Sequence, residues 1–213
     1  MKVLVLGATG NIGGHILAEA LTRGHELTVL IREASKAETL PSGVKAVVGD
    51  IDTLDANGDL LSQQDVVIAA VRPPQGQETL LVEMTDKLLK VTDKHKVRLV
   101  LSGGAGGLLS PKADQRRLID DPDYVGPGWK EIAIACAEQL THCQDSGFSH
   151  WTYLAPAAFI GGTEKLGQFR IGTDTLVTDE KGQSKISLPD LATALIDEVE
   201  VPQFNGACFT VAY

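Results

Sequence analysis

The chain has 213 residues, of which 43% are hydrophobic and 22% charged, so it can bury a full sheet with helices on both faces. Its 19 basic and 28 acidic residues give a net charge of −9, which argues against nucleic acid or an anionic membrane as a partner. No apolar run approaches a membrane span, and the opening run from Val3 to Leu6 is too short for a signal peptide.

Val3-Leu4-Val5-Leu6 reads as a strand buried on both faces, as in a parallel sheet. After Gly7 to Gly13 comes a helix with Ile12, Ile16, Leu17, Ala20 and Leu21 on one face, stopped by Gly24. Leu27–Ile31, Val44–Val48 and Asp65–Val71 are the next strands, the last ended by Pro73-Pro74. A helix from about Gln77 to Lys94 leads into a strand at Val97–Leu101, which closes on Ser102-Gly103-Gly104. Such alternation with short turns implies βαβ units and an α/β fold, a doubly wound parallel sheet of the Rossmann type.

The second half is less regular. Ala105 to Gly128 is long and rich in Gly, Pro and charge, and a connection of that length serves as a candidate lid. Trp129–Cys143 reads as a helix and Trp151–Leu154 as a strand ended by Pro156. Leu176-Val177 and Lys185–Ser187 flank Asp179–Gly182 in what reads as a hairpin. Pro189–Val199 is a helix and Cys208–Val211 a final strand. The expected organisation is one domain over 1–213, with the part from about residue 105 forming a small substrate-binding side.

Three cysteines, Cys136, Cys143 and Cys208, match no metal spacing. The first two share a helix face and read as small buried residues, and reduced thiols suit a cytoplasmic protein. No metal site is expected. Trp129 and Trp151 read as core residues.

Gly7-Ala8-Thr9-Gly10-Asn11-Ile12-Gly13 carries the strongest chemical signal. Between a strand and a helix, Gly7 permits the turn, Gly10 lets the backbone approach a pyrophosphate, and Gly13 lets the helix pack against the sheet. The helix N-terminus then offers free amides and partial positive charge. The loop residues Gly7, Thr9, Gly10, Asn11, Ile12 and Gly13 are therefore the candidate binders of a nicotinamide dinucleotide. At the end of the second strand, an acid would accept from a ribose 2′-hydroxyl; Arg32 stands there instead and suits a 2′-phosphate, so the expected cofactor is NADP(H). Lys36 adds charge nearby, while Glu33 points the other way. Ala70 and Arg72 lie at the C-terminal end of the fourth strand, where ligands of such sheets bind, and are further candidate cofactor binders; Arg72 suits a ribose, a phosphate or an anionic substrate.

The spacing GATGNIGGHI resembles the short-chain dehydrogenase/reductase superfamily, especially its extended and atypical branches. Ser102-Gly103-Gly104-Ala105-Gly106 and the ending Phe209 to Tyr213 are similar to an NmrA-like group that includes NADH-flavin reductases and flavin/biliverdin reductase B-like proteins. The resemblance implies Asp50 near the adenine, Ser102 and Gly103 beside the cofactor, and Pro156 bordering the nicotinamide.

Typical members of that superfamily use Tyr-x-x-x-Lys and a Ser to protonate the substrate. Here Tyr124 is followed four places on by Gly128, Tyr153 by Ala157, and Tyr213 ends the sequence. The family's serine position falls on Gly104. Ser102, Tyr124 and Lys130 are the remaining catalytic candidates. A simple ketone needs proton or oxyanion support, whereas a flavin or quinone delocalises its own charge. The expected function is therefore NADPH-dependent reduction of a small conjugated acceptor by a cytoplasmic monomer or homodimer. The alternative is a non-catalytic NADP(H)-binding sensor.

Overall fold

A computed structural model describes residues 1–56, 58–112, 114 and 116–213. Its main sheet has the order β3-β2-β1-β4-β5-β6-β10-β8. The strands are β1 (Lys2–Leu6), β2 (Glu26–Ile31), β3 (Lys45–Val48), β4 (Val66–Ala69), β5 (Arg98–Ser102), β6 (Trp151–Pro156), β8 (Arg170–Gly172) and β10 (Ala207–Ala212). All run parallel to their neighbours except β8, which pairs antiparallel with β10 at the edge. A separate two-stranded sheet joins β7 (Phe159–Ile160) to β9 (Lys185–Ile186).

Burial on both faces explains the short unbroken apolar runs. In β1, Val3 and Val5 join one core with Ile16, Leu17 and Ala20 of α1 (Asn11–Thr22) and Leu191 and Leu195 of α5 (Leu188–Glu200). Leu4 and Leu6 point the other way. They meet Leu61 of α2 (Gly58–Ser62), Leu88 and Leu89 of α3 (Leu80–His95), and Leu140 and Cys143 of α4 (Lys130–Asp145). Ser187 caps α5, its side chain accepting from the Asp190 amide, with Pro189 in the first turn.

The strand order turns at β1, which lies between β2 and β4. That is the switch point of a doubly wound sheet, and the loop after β1 opens there.

One expected pairing does not form. The Asp179–Gly182 turn exists: the Gly182 amide donates to the Asp179 carbonyl at 3.0 Å. Its flanks nevertheless diverge. Lys185-Ile186 pairs in parallel with Phe159-Ile160, and the Leu176 amide donates to the Leu109 carbonyl at 3.0 Å. Two-residue strands carry too little periodicity to name their partner.

Candidate cofactor and substrate cleft

At the C-terminal edge of the sheet lies a cleft of about 420 Å³. The ends of β4, β5 and β6 supply Ala70, Arg72, Ser102, Gly103 and Pro156, and Ile12 comes from the head of α1. Ile132, Ala133, Cys136 and Gln139 of α4 form a wall. The segment after β5 contributes Leu118, Tyr124, Val125 and Trp129, so it works as a strap across the cleft.

The glycine loop is built by close backbone approach. Gly7 has φ +81°, and a Cβ there would lie 2.1 Å from the Ala70 carbonyl oxygen. A Cβ on Gly13 would lie 2.0 Å from the Gly7 carbonyl oxygen. Gly10 differs: its Cβ would meet only that same oxygen, at 3.2 Å, and its outer side is open. Gly10 is also the N-cap of α1, with no side chain capping it. The Gly14 amide is the first to bond back, to the Gly10 carbonyl at 2.8 Å. The amides of Asn11, Ile12 and Gly13 are thus left without an intrahelical acceptor. Thr9 and Asn11 are exposed beside them.

At the other end, Ser102 closes β5 and lines the cleft; its Oγ is buried with no hydrogen-bond partner among the described residues. Uncapped amides and an orphaned hydroxyl on one sheet edge fit a ligand carrying a pyrophosphate and a polar amide ring, as a nicotinamide dinucleotide does.

Beneath the Ser102–Gly104 turn sits Tyr153, wholly buried. A Cβ on Gly103 would fall 1.9 Å from its ring, which accounts for that glycine. The Tyr153 hydroxyl accepts from the Gly104 amide at 3.0 Å and donates to Gln139 Oε1 at 3.0 Å. Gln139 in turn donates to Thr85 at 2.9 Å. Burial holds the Tyr153 phenol well above its usual value, so it braces the turn as a neutral group.

The catalytic candidates fare differently. Tyr124 lines the cleft, but its hydroxyl donates to the Gly182 carbonyl at 3.2 Å, and burial raises its pKa. Lys130 does not line the cleft: its ammonium donates to the Ile119 carbonyl and lies 3.5 Å from Asp120. Of the three candidates, only Ser102 both lines the cleft and keeps its polar group uncommitted, and that Oγ is itself buried. Cys136 also lines it, with a thiol that burial pushes up to about 11.

Further out, Arg32 follows β2, exposed and without an ion pair among the described residues. Asp50 caps the turn after β3, accepting from the Thr53 amide at 3.2 Å. Trp151 is buried as expected, but Trp129 is not: it is 63% exposed at the cleft mouth. A tryptophan flanked by Gly126, Pro127 and Gly128 sits on irregular backbone, and that setting was the available signal for exposure. Sequence reasoning also missed Ala157 to Ile160, which follow β6 into the cleft wall.

A buried carboxylate fastens the strap. Asp121 accepts from Lys112 Nζ and Ser110 Oγ, each at 2.7 Å. Lys112 also reaches Asp123 at 2.7 Å and stands 5.8 Å from the Tyr124 ring centre. The Lys112 ammonium holds the Asp121 carboxyl at about 2, against burial. That value lies below the ordinary one, so the clip is complete above about pH 4 and is lost as pH falls toward 2. Asp121→Asn is expected to loosen the strap at neutral pH, raising hydrogen exchange of the amides at 116–125 about tenfold. Unchanged exchange would mean that the packing of Leu118 alone holds it.

Comparison with known proteins agrees with this geometry. A family model described as NAD(P)H-binding matches residues 7–202. The uncharacterized protein YwnB of Bacillus subtilis (strain 168) is 34% identical over 213 residues, spanning 99% of this chain and 98% of its own. The crystal structure of a proposed NADH-flavin reductase from Streptococcus pneumoniae TIGR4 matches with a TM-score of 0.88 at 28% identity, covering 100% of this chain and 99% of the other. A proposed exported protein from Burkholderia pseudomallei matches with a TM-score of 0.87 at 34% identity, covering 100% of both chains. Among the described residues, no helix is long and apolar enough to cross a membrane.

Proposed function

The chain belongs to the NAD(P)H-binding family, and from that premise we propose that it is an NADPH-dependent reductase of a small flavin, quinone or similar conjugated acceptor. The observation that carries this reading is the chemistry of the cleft wall. It is largely apolar, no histidine or carboxylate lines it among the described residues, and its lining hydroxyl and thiol are poor proton donors: the Tyr124 hydroxyl is already given to the Gly182 carbonyl, and burial makes both Tyr124 and Cys136 weaker acids. Such a site has little with which to protonate an alkoxide. It can still hold a planar acceptor whose own ring system spreads the added charge.

The amides of Asn11, Ile12 and Gly13 would hold the pyrophosphate, with Thr9 beside them. Arg32 would meet a 2′-phosphate and Asp50 would stand near the adenosine end. Ser102, Gly103, Ala70 and Pro156 would border the nicotinamide. When bound, the reduced nicotinamide supplies a hydride, that is two electrons and one proton, and water supplies the second proton that completes a hydroquinone or dihydroflavin. The chain's own part is positioning and exclusion of water. The Tyr153–Gln139 network fixes the Ser102–Gly104 turn, while Leu118, Val125 and Ile132 keep the cleft apolar. Residues from about 105 onward supply the acceptor side.

The test is oxidation of NADPH by the purified protein across a panel of flavins and quinones. Tight binding with no oxidation of any acceptor would instead support a sensor. Cofactor choice is tested separately. NADPH is expected to bind more tightly than NADH, and Arg32→Ser to raise the NADPH Kd about ten- to a hundredfold while leaving that of NADH within about twofold. Equal affinities in the parent protein would reject the NADP(H) assignment.

A further inference from the structure

Among the described residues that line the cleft, Arg72 alone carries a charge. It has no carboxylate partner among the described residues, in a chain whose acids outnumber its bases 28 to 19. Arg23, Arg98 and Arg116, by contrast, are all paired with acids. The Arg72 guanidinium stands 5.8 Å from the centre of the Trp129 ring. Trp129 stands at the head of α4, on the side of the strap residues Tyr124 and Val125, so this contact draws the charge toward the acceptor side of the cleft.

A second aromatic ring borders the same mouth. Phe159 follows β6 and is 59% exposed, while Trp129 is 63% exposed. Gly161 leaves room for that ring, since a Cβ there would lie 2.9 Å from it. Two exposed aromatic faces at the opening of an apolar cleft form a surface for a flat ring system. An unpaired guanidinium beside them is a forked donor for an anion.

We propose that the acceptor is a planar conjugated molecule bearing an anionic substituent, a phosphate, sulfonate or carboxylate. Arg72 recognises the anion, and Trp129 and Phe159 pack against the ring. This rests on the reductase reading for turnover but not for binding, and the two are tested apart.

Binding is read by quenching of Trp129 fluorescence on titration with FMN and with riboflavin, which differ by one phosphate; Trp129→Phe removes the signal and identifies its source. FMN is expected to bind at least about tenfold more tightly than riboflavin. Arg72→Gln is expected to abolish that preference, and Arg72→Lys to keep part of it. Turnover is read with NADPH, comparing a sulfonated naphthoquinone with its neutral parent. Arg72→Gln should raise KM for the sulfonate about tenfold or more and so remove the difference between the sulfonate and its neutral parent. Equal affinity for FMN and riboflavin would overturn the proposal. So would an Arg72→Gln variant that weakens NADPH instead, because the guanidinium would then serve the cofactor. Absence of turnover with every acceptor, alongside an Arg72-dependent FMN preference, would overturn the reductase reading and leave this inference standing.

Discussion

Gly13→Ala is expected to destabilise the protein by about 3–5 kcal/mol, lowering Tm by about 10 °C or more and abolishing dinucleotide binding with it. The added carbon would sit 2.0 Å from the Gly7 carbonyl oxygen, 2.7 Å from its carbon and 3.1 Å from the Ala8 Cα. All three atoms are backbone, so no rotamer change relieves the clash; α1 must move off β1. Ile16, Leu17 and Ala20 would lose their packing in the same step. Gly10→Ala is the informative contrast. Its new carbon meets one oxygen at 3.2 Å, and the backbone φ of −83° suits any residue. Stability should change by about 1 kcal/mol or less, while the NADPH Kd rises at least about tenfold, because the carbon occupies the side from which a pyrophosphate would approach the amides. Thermal melts and NADPH titrations of the two variants separate the roles. A Gly10→Ala protein with unchanged affinity would remove the loop as the phosphate site.

The first half of the fold was legible because its strands are buried on both faces. Val3 to Leu6 and Leu27 to Ile31 have no solvent side, and they read as apolar runs interrupted only by Thr28, which is itself buried. The glycine loop was legible because each of its glycines answers a backbone demand that local sequence expresses. Beyond Ser102 the controlling facts are contacts between distant residues. Lys130 reads as a donor near the nicotinamide until the fold brings the Ile119 carbonyl to it. Tyr124 reads as a lid residue, and its strap does line the cleft, but its hydroxyl is taken by Gly182, which is far away in the chain. Gly103 and Gly104 drew notice as part of a motif, and their steric reason is the ring of Tyr153 and the thiol of Cys136 below them. Lys185-Ile186 finds β7 and not Leu176-Val177, because a two-residue strand takes its partner from the surrounding fold.

The opposite end of the sheet holds the second large effect, one that should spare the cleft. Glu198 of α5 is 3% exposed and accepts from Arg98 at the start of β5. It also accepts from the Gln203 and Phe204 amides at 2.9 and 3.1 Å. Arg98 donates further to the Glu198 carbonyl at 2.9 Å and to Thr152 Oγ1 at 2.8 Å. These bonds tie α5 to β5 and β6 and to the turn that leads into β10. Burial disfavours the Arg98 charge, and Glu198 opposes that effect. Arg98→Ala would leave a buried carboxylate with only neutral donors, and a loss of about 3–5 kcal/mol is expected. Arg98→Met with Glu198→Gln removes both charges and keeps the stems, so it should recover part of that loss. A cost for the double variant equal to that of Arg98→Ala would mean that the packing of the arginine stem, and not the stranded charge, carries the effect. Because Arg98 begins β5 and the cleft lies beyond its other end at Ser102, NADPH affinity at a temperature below the melt should stay within about twofold in both variants. A larger change would couple the two ends of the sheet through β5.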